Sequence, residues 1–210
     1  MTYNKILKAI SEAINASTKE LGLAKRPTIK IEHGPSDYVM AATGSIYTQG
    51  FLFNRVITHT ECDYILHINK DMLNRTIKEY TLLFCNKQAA YDAVYLLVCH
   101  ELRHMWQYQT GTCFIGKPTN DLNISAMFDG HGAVPEETDA NKWMLMIASR
   151  NGLSELAQYM ELTQRANGLV NQHSKEFYQE IRTSYTCAAK KYNSVLKTLF
   201  TMKDAIKSFK

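Results

Sequence analysis

The sequence predicts an α+β fold in which one helix precedes a small mixed sheet and further helices complete the chain. Three features predict this order: isoleucines that recur every four residues near the start, β-branched and aromatic residues between positions 28 and 69, and helical periodicities after position 87. A length of 210 residues suits one domain with an appendage better than two full domains.

The first predicted element is a helix over residues 3–21. Ile6, Ile10 and Ile14 are spaced at i+4, which places them on one helical face, and polar residues separate them. Gly22 follows the last periodic residue, as is typical of a helix end.

Strands are predicted next. Residues 28–32 (TIKIE) alternate around two isoleucines and predict a strand, and residues 38–58 predict two or three short strands separated by glycines. Residues 63–69 (DYILHIN) show the clearest alternation in the chain. They are equally consistent with an ordinary sheet strand and with an edge strand that pairs with an extended substrate. Residues 70–87 carry no clear pattern.

Helices are predicted for the second half of the domain. Residues 88–109 have a helical pattern, and a loop rich in glycine follows them. A further helix is predicted to start at Pro135, which suits a first helical position, and to end at Arg150, before Asn151-Gly152. Residues 154–166 predict a shorter helix.

The C-terminal segment, residues 169–210, is predicted to be a basic amphipathic helical extension of a domain that spans residues 1–168. From Tyr178 to Phe209, apolar residues recur at alternating spacings of three and four, which is a heptad pattern. The pattern is consistent with a partner helix or self-association through residues 178–209. It is equally consistent with packing on the domain's own core.

Composition excludes several classes of protein. An apolar share of 45% and a charged share of 21% are globular values and exclude wholesale disorder. The longest apolar run in the first hundred residues, 93–99, is far shorter than the roughly 20 residues that span a bilayer, so no membrane association is expected. The start of the chain lacks a signal-peptide pattern and the five cysteines lack CxxC spacing, which predicts a cytoplasmic location. A net charge of +4 gives little reason to expect a nucleic-acid partner.

The HExxH motif at residues 100–104 (HELRH) carries the chemistry. His100 and His104 are one helical turn apart, so both imidazoles leave the same face and can share one metal ion. Glu101 projects from the flank of that face, near enough to hydrogen-bond a metal-bound water without being a ligand. This arrangement suits Zn²⁺, which lowers the pKa of its water to about 7 while the carboxylate takes the proton.

A third zinc ligand is needed, because a catalytic site takes three protein ligands and keeps one position open. The extended motif fails, since Gln107 and Thr110 occupy its glycine and third histidine positions. The remaining candidates are His131, Glu136, Glu137 and Asp139. The apolar stripe of the helix after Pro135, extended one turn backwards, reaches both Glu136 and Glu137, and helical geometry does not choose between them. Asp139 falls on the far side, where we expect it to be solvated.

HELRH is followed 33 residues later by ETDANKW at residues 137–143. Together these motifs resemble those of gluzincin-type zinc peptidases and, more narrowly, the ImmA/IrrE family, whose second motif is E-x-E-A-N-x-F-A. The resemblance implies a minimal zincin-like domain in which His100, His104 and Glu137 bind zinc. It also implies that Glu101 is the general base and that Asn141 orients a ligand histidine.

The sequence therefore predicts a zinc metallopeptidase that hydrolyses peptide bonds of an intracellular protein. The resemblance implies that this substrate is a repressor or regulator of a mobile element or stress response. His131 could stabilise the oxyanion of the reaction, although a lone loop histidine is usually only solvated, and Tyr108 is a second candidate. Two alternatives stay open: a SprT-like protease acting on DNA-bound proteins, and a non-catalytic module that zinc braces and that binds a partner through residues 178–209.

Overall fold

A computed structural model describes residues 3–36, 38–51, 55–118 and 135–160. Within these ranges the chain is α+β, as predicted. The extension predicted at 169–210, the domain boundary at residue 168 and the loop histidine His131 lie outside them. No helix in the described ranges combines the length and the apolar character needed to cross a lipid bilayer.

The elements follow the predicted order of one helix, a sheet and then helices. Their bounds are α1 Tyr3–Leu21, β1 Thr28–Glu32, β2 Met40–Gln49, β3 Val56–Asn69, α2 Lys70–Phe84, α3 Lys87–Thr110 and α4 Pro135–Arg150. Residues 154–160 are again helical, which agrees with the first part of the helix predicted at 154–166. The helices predicted from periodicity, α1, α3 and α4, are confirmed to within one residue at each end.

The described strands form a mixed sheet with the order β1-β3-β2, in which β3 pairs in parallel with β1 and antiparallel with β2. Residues 63–69 are the second half of β3, so they form an ordinary central strand and the edge-strand alternative is wrong. Their alternation reports which face is buried, with Leu66 and Ile68 in the core. The alternation does not show whether the strand pairs with a neighbour along one edge or along both.

The segment predicted as two or three short strands, 38–58, contains one strand of ten residues, β2, and the beginning of β3. The register between the two strands shifts between Ala42 and Gly44, close to Tyr64 of β3, whose φ is 55°. Gly44 also allows β2 to approach α3, because a Cβ at this position would lie 2.4 Å from Cγ of Tyr108. This irregularity therefore lies where β2 meets α3, and a second register shift follows between Tyr47 and Thr48.

The structure contains a helix, α2, that the sequence pattern does not predict. It follows β3 without a loop because Asn69 caps it: Oδ1 accepts the N–H of Met72 at 2.9 Å, and Nδ2 donates to the carbonyl of Gly34 at 3.1 Å. Leu73 and Ile77, one turn apart, are buried in the core. A single capping residue thus ends the central strand and begins the helix.

Helix α3 lies at the centre of the fold. Asn86 caps its start, and Gly111 ends it with a left-handed φ of 73°. Helices α1, α2 and α4 and strands β2 and β3 all pack on α3, and its apolar side chains, including Leu96, Leu102 and Met105, are fully buried. Full burial of such a side chain contributes roughly 1.5–3 kcal/mol. These contacts hold the HExxH motif in place from several directions.

Candidate metal centre

The two motif histidines lie on one face of α3, as their spacing predicts. The side chain of His100 is 2% exposed and that of His104 is 12% exposed. Their Nε2 atoms are 3.1 Å apart, and the rings meet edge to face. Two ring nitrogens this close, in a buried place, are favourable only if a proton or another cation lies between them.

Glu137 faces both histidines from the first turn of α4. Its Oε2 lies 3.2 Å from Nε2 of His100, and its Oε1 lies 3.4 Å from Nε2 of His104. One ligand atom from each of the three side chains lies within 4.8 Å of the others, so this group could hold a metal ion. Of the two carboxylates that helical geometry left open, the structure brings Glu137, and not Glu136, into the group.

Glu101 lies beside the histidines, where α3 meets β2. Its Oε2 accepts the backbone N–H of Ala42 at 3.0 Å. Burial raises the pKa of the Glu101 carboxyl group, while the charges of His100 and His104 act in the opposite direction. The carboxylate is therefore held by a backbone donor and is close enough to the group to interact with its charges, without belonging to it.

The electrostatics of the group favour a cation. Burial lowers the pKa of His104, but the hydrogen bond with Glu137 and the charges of Glu101 and Glu137 outweigh burial and raise the pKa to about 9. The carboxylates that stabilise this proton would also attract a metal cation, which must displace the proton because only a deprotonated ring nitrogen binds a metal.

The other ring nitrogen of His104 is in contact with Gln107. Nδ1 of His104 lies 2.8 Å from Oε1 of Gln107, whose side chain is fully buried. Nε2 of Gln107 donates at 2.8 Å to the backbone oxygen of Glu136 and at 2.8 Å to Oδ2 of Asp139. One glutamine thus connects a motif histidine to the helix that carries Glu137.

Asp139 lies outside the metal group, as predicted, but its side chain is only 27% exposed and is paired with Arg103, so the prediction that it would simply be solvated is wrong. Its carboxylate accepts two hydrogen bonds from Arg103, at 2.8 Å from Nε and 3.0 Å from Nη2, and the guanidinium group stacks on Trp106 at 3.8 Å. Burial acts to raise the pKa of Asp139, but the hydrogen bonds from Arg103 and Gln107 outweigh it and lower the pKa. The apolar stripe of α4 could not reveal this, because the partners of Asp139 come from α3.

Four buried polar groups of this region have no hydrogen-bond partner among the described residues: Nδ1 of His100, Oε2 of Glu136, the amide of Asn141 and Nε1 of Trp143. Asn141 is 1% exposed and lies one turn after Glu137. The family resemblance implies that Asn141 orients a ligand histidine. Its burial next to the group is consistent with that role, which stays a prediction.

Tyr108, a candidate oxyanion donor, lies one turn after His104. Its ring stacks on Phe114 with the centroids 5.1 Å apart, and Gly44 lies against its face. Burial raises the pKa of the Tyr108 hydroxyl group, so the group keeps its proton at neutral pH and could donate it in a hydrogen bond. The role of His131, outside the described residues, stays a prediction.

Besides the ion pair of Asp139 with Arg103, two contacts of the site were missed by sequence reasoning. Gln107 was recognised only as the residue that breaks the extended motif, although a glutamine three residues after a histidine lies on the same helical face, which is a usable signal. The contact from Ala42 to Glu101 has no sequence signal, since any residue other than proline offers a backbone N–H.

No protein-family model, no curated protein and no solved structure matches the chain. The donor set and the partly buried carboxylate of Glu101 beside it must therefore support any conclusion about function.

Proposed function

We propose that the protein is a zinc-dependent metallopeptidase. The observation that carries the proposal is the convergence of His100, His104 and Glu137 in one buried group, with Glu101 beside it. Two imidazoles and a carboxylate are a donor set typical of catalytic zinc, which keeps a fourth position for water or substrate.

The spacing of the donor atoms fits zinc. With Zn–ligand bonds of roughly 2.0–2.1 Å, the ligand atoms of a tetrahedral site are about 3.3–3.4 Å apart. The corresponding distances are 3.1 Å between the two histidines, 3.2 Å from His100 to Glu137 and 3.4 Å from His104 to Glu137. Calcium and magnesium prefer oxygen ligands throughout, so the two nitrogen donors favour zinc over either.

The proposed reaction is hydrolysis of a peptide bond. When bound, the metal would polarise the substrate carbonyl and lower the pKa of a coordinated water to about 7. Glu101 takes a proton from the attacking water and later delivers it to the nitrogen that leaves. Burial acts to raise the pKa of Glu101 above its ordinary value, which is the direction that makes a carboxylate a stronger base. The N–H of Ala42 holds the carboxylate in place while it is charged.

The proposed substrate is an intracellular protein. The similarity of residues 137–143 to the second motif of the ImmA/IrrE family supports a repressor or another regulator of a mobile element or stress response. A buried metal group with one carboxylate beside it is also compatible with other peptide substrates. The substrate must therefore be found by an unbiased method.

Glu101→Gln tests the proposed reaction. The variant keeps the size of the side chain and an oxygen that can accept the N–H of Ala42, but it cannot take up a proton at neutral pH. We expect it to bind one zinc per chain and to lose hydrolysis by at least roughly 10²–10⁴-fold, the usual effect of removing a general base. Zinc-loaded protein is incubated with peptides from a digested proteome and with an undigested lysate, and new N termini are quantified by mass spectrometry.

The matched control is Glu79→Gln, which makes the same chemical change at an exposed position of α2. It should behave like the wild type in both zinc content and hydrolysis. Cleavage by Glu101→Gln at the wild-type rate would refute the role of Glu101. A wild type that binds zinc and cleaves nothing in either mixture would instead support the non-catalytic, zinc-braced module.

A further inference from the structure

The amide of Gln107 is fully buried and uses both of its ends. Its oxygen is 2.8 Å from Nδ1 of His104. Its nitrogen is 2.8 Å from the carbonyl oxygen of Glu136 and 2.8 Å from the carboxylate of Asp139. With one contact at the oxygen and two at the nitrogen, the hydrogen-bonding capacity of the group is largely satisfied.

The chemistry of these neighbours fixes which way the amide points. A carbonyl and a carboxylate in an ion pair only accept hydrogen bonds, so the nitrogen of Gln107 must face Glu136 and Asp139. The reverse orientation would place the amide oxygen against two acceptors, with a cost for each unmade hydrogen bond. The oxygen therefore faces His104, and because an amide oxygen only accepts, Nδ1 of His104 must carry a proton. A neutral His104 then has its lone pair on Nε2, the atom that faces Glu137.

Arg103 holds the acceptor that orients this amide. Its two hydrogen bonds to Asp139 fix the carboxylate, and its guanidinium group lies 3.8 Å from the ring of Trp106 on α3 and 5.5 Å from the ring of Trp143 on α4. The contacts from Arg103 through Asp139 to Gln107 therefore join α3 to α4. They belong to the same interface that brings Glu137 to the histidines.

We propose that Gln107 is a positioning residue of the metal centre. It selects the tautomer of His104 that can bind a metal through Nε2, and its two bonds to α4 hold that helix where Glu137 reaches the histidines. The inference rests on the metal site of the proposed function and deepens it, because it names the residue that prepares the site before the metal binds. Hydrogen-bond partners of ligand histidines change metal affinity by roughly 10–100-fold in other proteins.

Gln107→Met tests the proposal, because methionine keeps the approximate length and volume of the side chain and removes all three hydrogen bonds. Zinc affinity is measured by competition with a chromophoric chelator, and the visible absorption of the Co²⁺-loaded protein reports the geometry of the ligands. We expect the zinc affinity to fall about 10–100-fold. The Co²⁺ spectrum should also change, because the ring of His104 is no longer held.

Gln109→Met is the matched control on the same helix. Gln109 accepts hydrogen bonds from the N–H of Ala24 and the hydroxyl of Tyr64, and donates one to the carbonyl of Gly22. Gln109→Met therefore loses three hydrogen bonds, as Gln107→Met does, and none of them lies near the metal group. Its zinc affinity and Co²⁺ spectrum should equal those of the wild type. An equal loss of affinity in both variants would show that Gln107 acts only through stability, and would overturn the proposal.

The tautomer of His104 gives a second test that needs no variant. In zinc-loaded wild type labelled with ¹⁵N-histidine, long-range ¹H–¹⁵N spectra should show a protonated Nδ1 and a metal-bound Nε2 on His104. Metal bound at Nδ1 would overturn the proposal, even if Gln107→Met failed to fold. A wild type that binds no zinc would refute the metal site and the positioning role together. Zinc binding that Gln107→Met leaves unchanged would refute the positioning role alone.

Discussion

Replacing Gly44 by alanine should weaken the contact between β2 and α3. The added Cβ would lie 2.4 Å from Cγ of Tyr108 and 2.5 Å from the backbone oxygen of Glu61. Favourable contacts between carbon atoms need roughly 3.5–4.0 Å, so the ring or the strand must move by about 1 Å. Neither moves easily, because the ring stacks on Phe114 and Glu61 belongs to the central strand of the sheet.

The size of the effect follows from these two contacts. Overpacking costs about 1–3 kcal/mol, and a clash with both a ring and a backbone atom places Gly44→Ala at about 2–3 kcal/mol. For a chain of this length, each kcal/mol lowers the melting temperature by roughly 2–4 °C, so a decrease of about 4–12 °C is expected. Urea unfolding, monitored by circular dichroism, measures the free energy of unfolding, and calorimetry measures the melting temperature.

Two further variants make the test specific. Ser45→Ala, at the exposed neighbouring position of β2, should change the free energy of unfolding by less than about 0.5 kcal/mol. In a Tyr108→Leu background the cost of Gly44→Ala should shrink, because only the contact with Glu61 remains. An undiminished cost in that background would show that the ring of Tyr108 is not the obstacle. A cost below about 0.5 kcal/mol in the wild type would refute the close approach of β2 and α3.

Three other predictions concern the core, the thiols and acid stability. Leu102→Ala, at a fully buried position of α3, should cost about 2–5 kcal/mol in urea unfolding, and a cost below about 1 kcal/mol would contradict the central place of this helix. Burial raises the pKa of Cys99 to about 11, so in the folded protein iodoacetamide should modify the exposed Cys85 and spare Cys99, as peptide mass spectrometry would show. The pKa of Glu32 is lowered from 4.5 to about 2, chiefly by the hydrogen bond from Tyr38. A carboxyl group with a lowered pKa stabilises the fold above its ordinary pKa. The contribution of Glu32 to the free energy of unfolding should therefore disappear as the pH falls from 4.5 to about 2. In Glu32→Gln, the free energy of unfolding should lack this part of its pH dependence.

Local patterns predicted the helices that carry the site. The isoleucine stripe of α1, Pro135 at the start of α4 and the spacing of His100 and His104 each depend on a few neighbouring residues, and the structure agrees with all of them. Helix α2 was missed because polar residues interrupt its apolar stripe. Its clearest local signal is the single capping residue Asn69.

Pairings between distant segments were not predictable in this way. Glu136 and Glu137 are neighbours on one helix, and which of them reaches the histidines depends on how α4 is rotated against α3. The ion pair between Asp139 and Arg103 likewise joins two helices, so the pattern of either helix alone cannot show it. The central position of residues 63–69 depends on two partner strands, whereas the alternation of a strand reports only its faces.

The most direct test of the metal site is the zinc content of Glu137→Gln beside that of Glu136→Gln. Both variants exchange one carboxylate for an amide of the same size, at adjacent positions of α4. Equilibrium dialysis against buffered zinc, with the metal measured by plasma mass spectrometry, should find one zinc per chain in the wild type and in Glu136→Gln. In Glu137→Gln the zinc affinity should fall by more than the roughly 10–100-fold that is lost when only a hydrogen-bond partner of a ligand is removed. Wild-type zinc affinity in Glu137→Gln, or its loss in Glu136→Gln, would contradict the assignment of the three ligands.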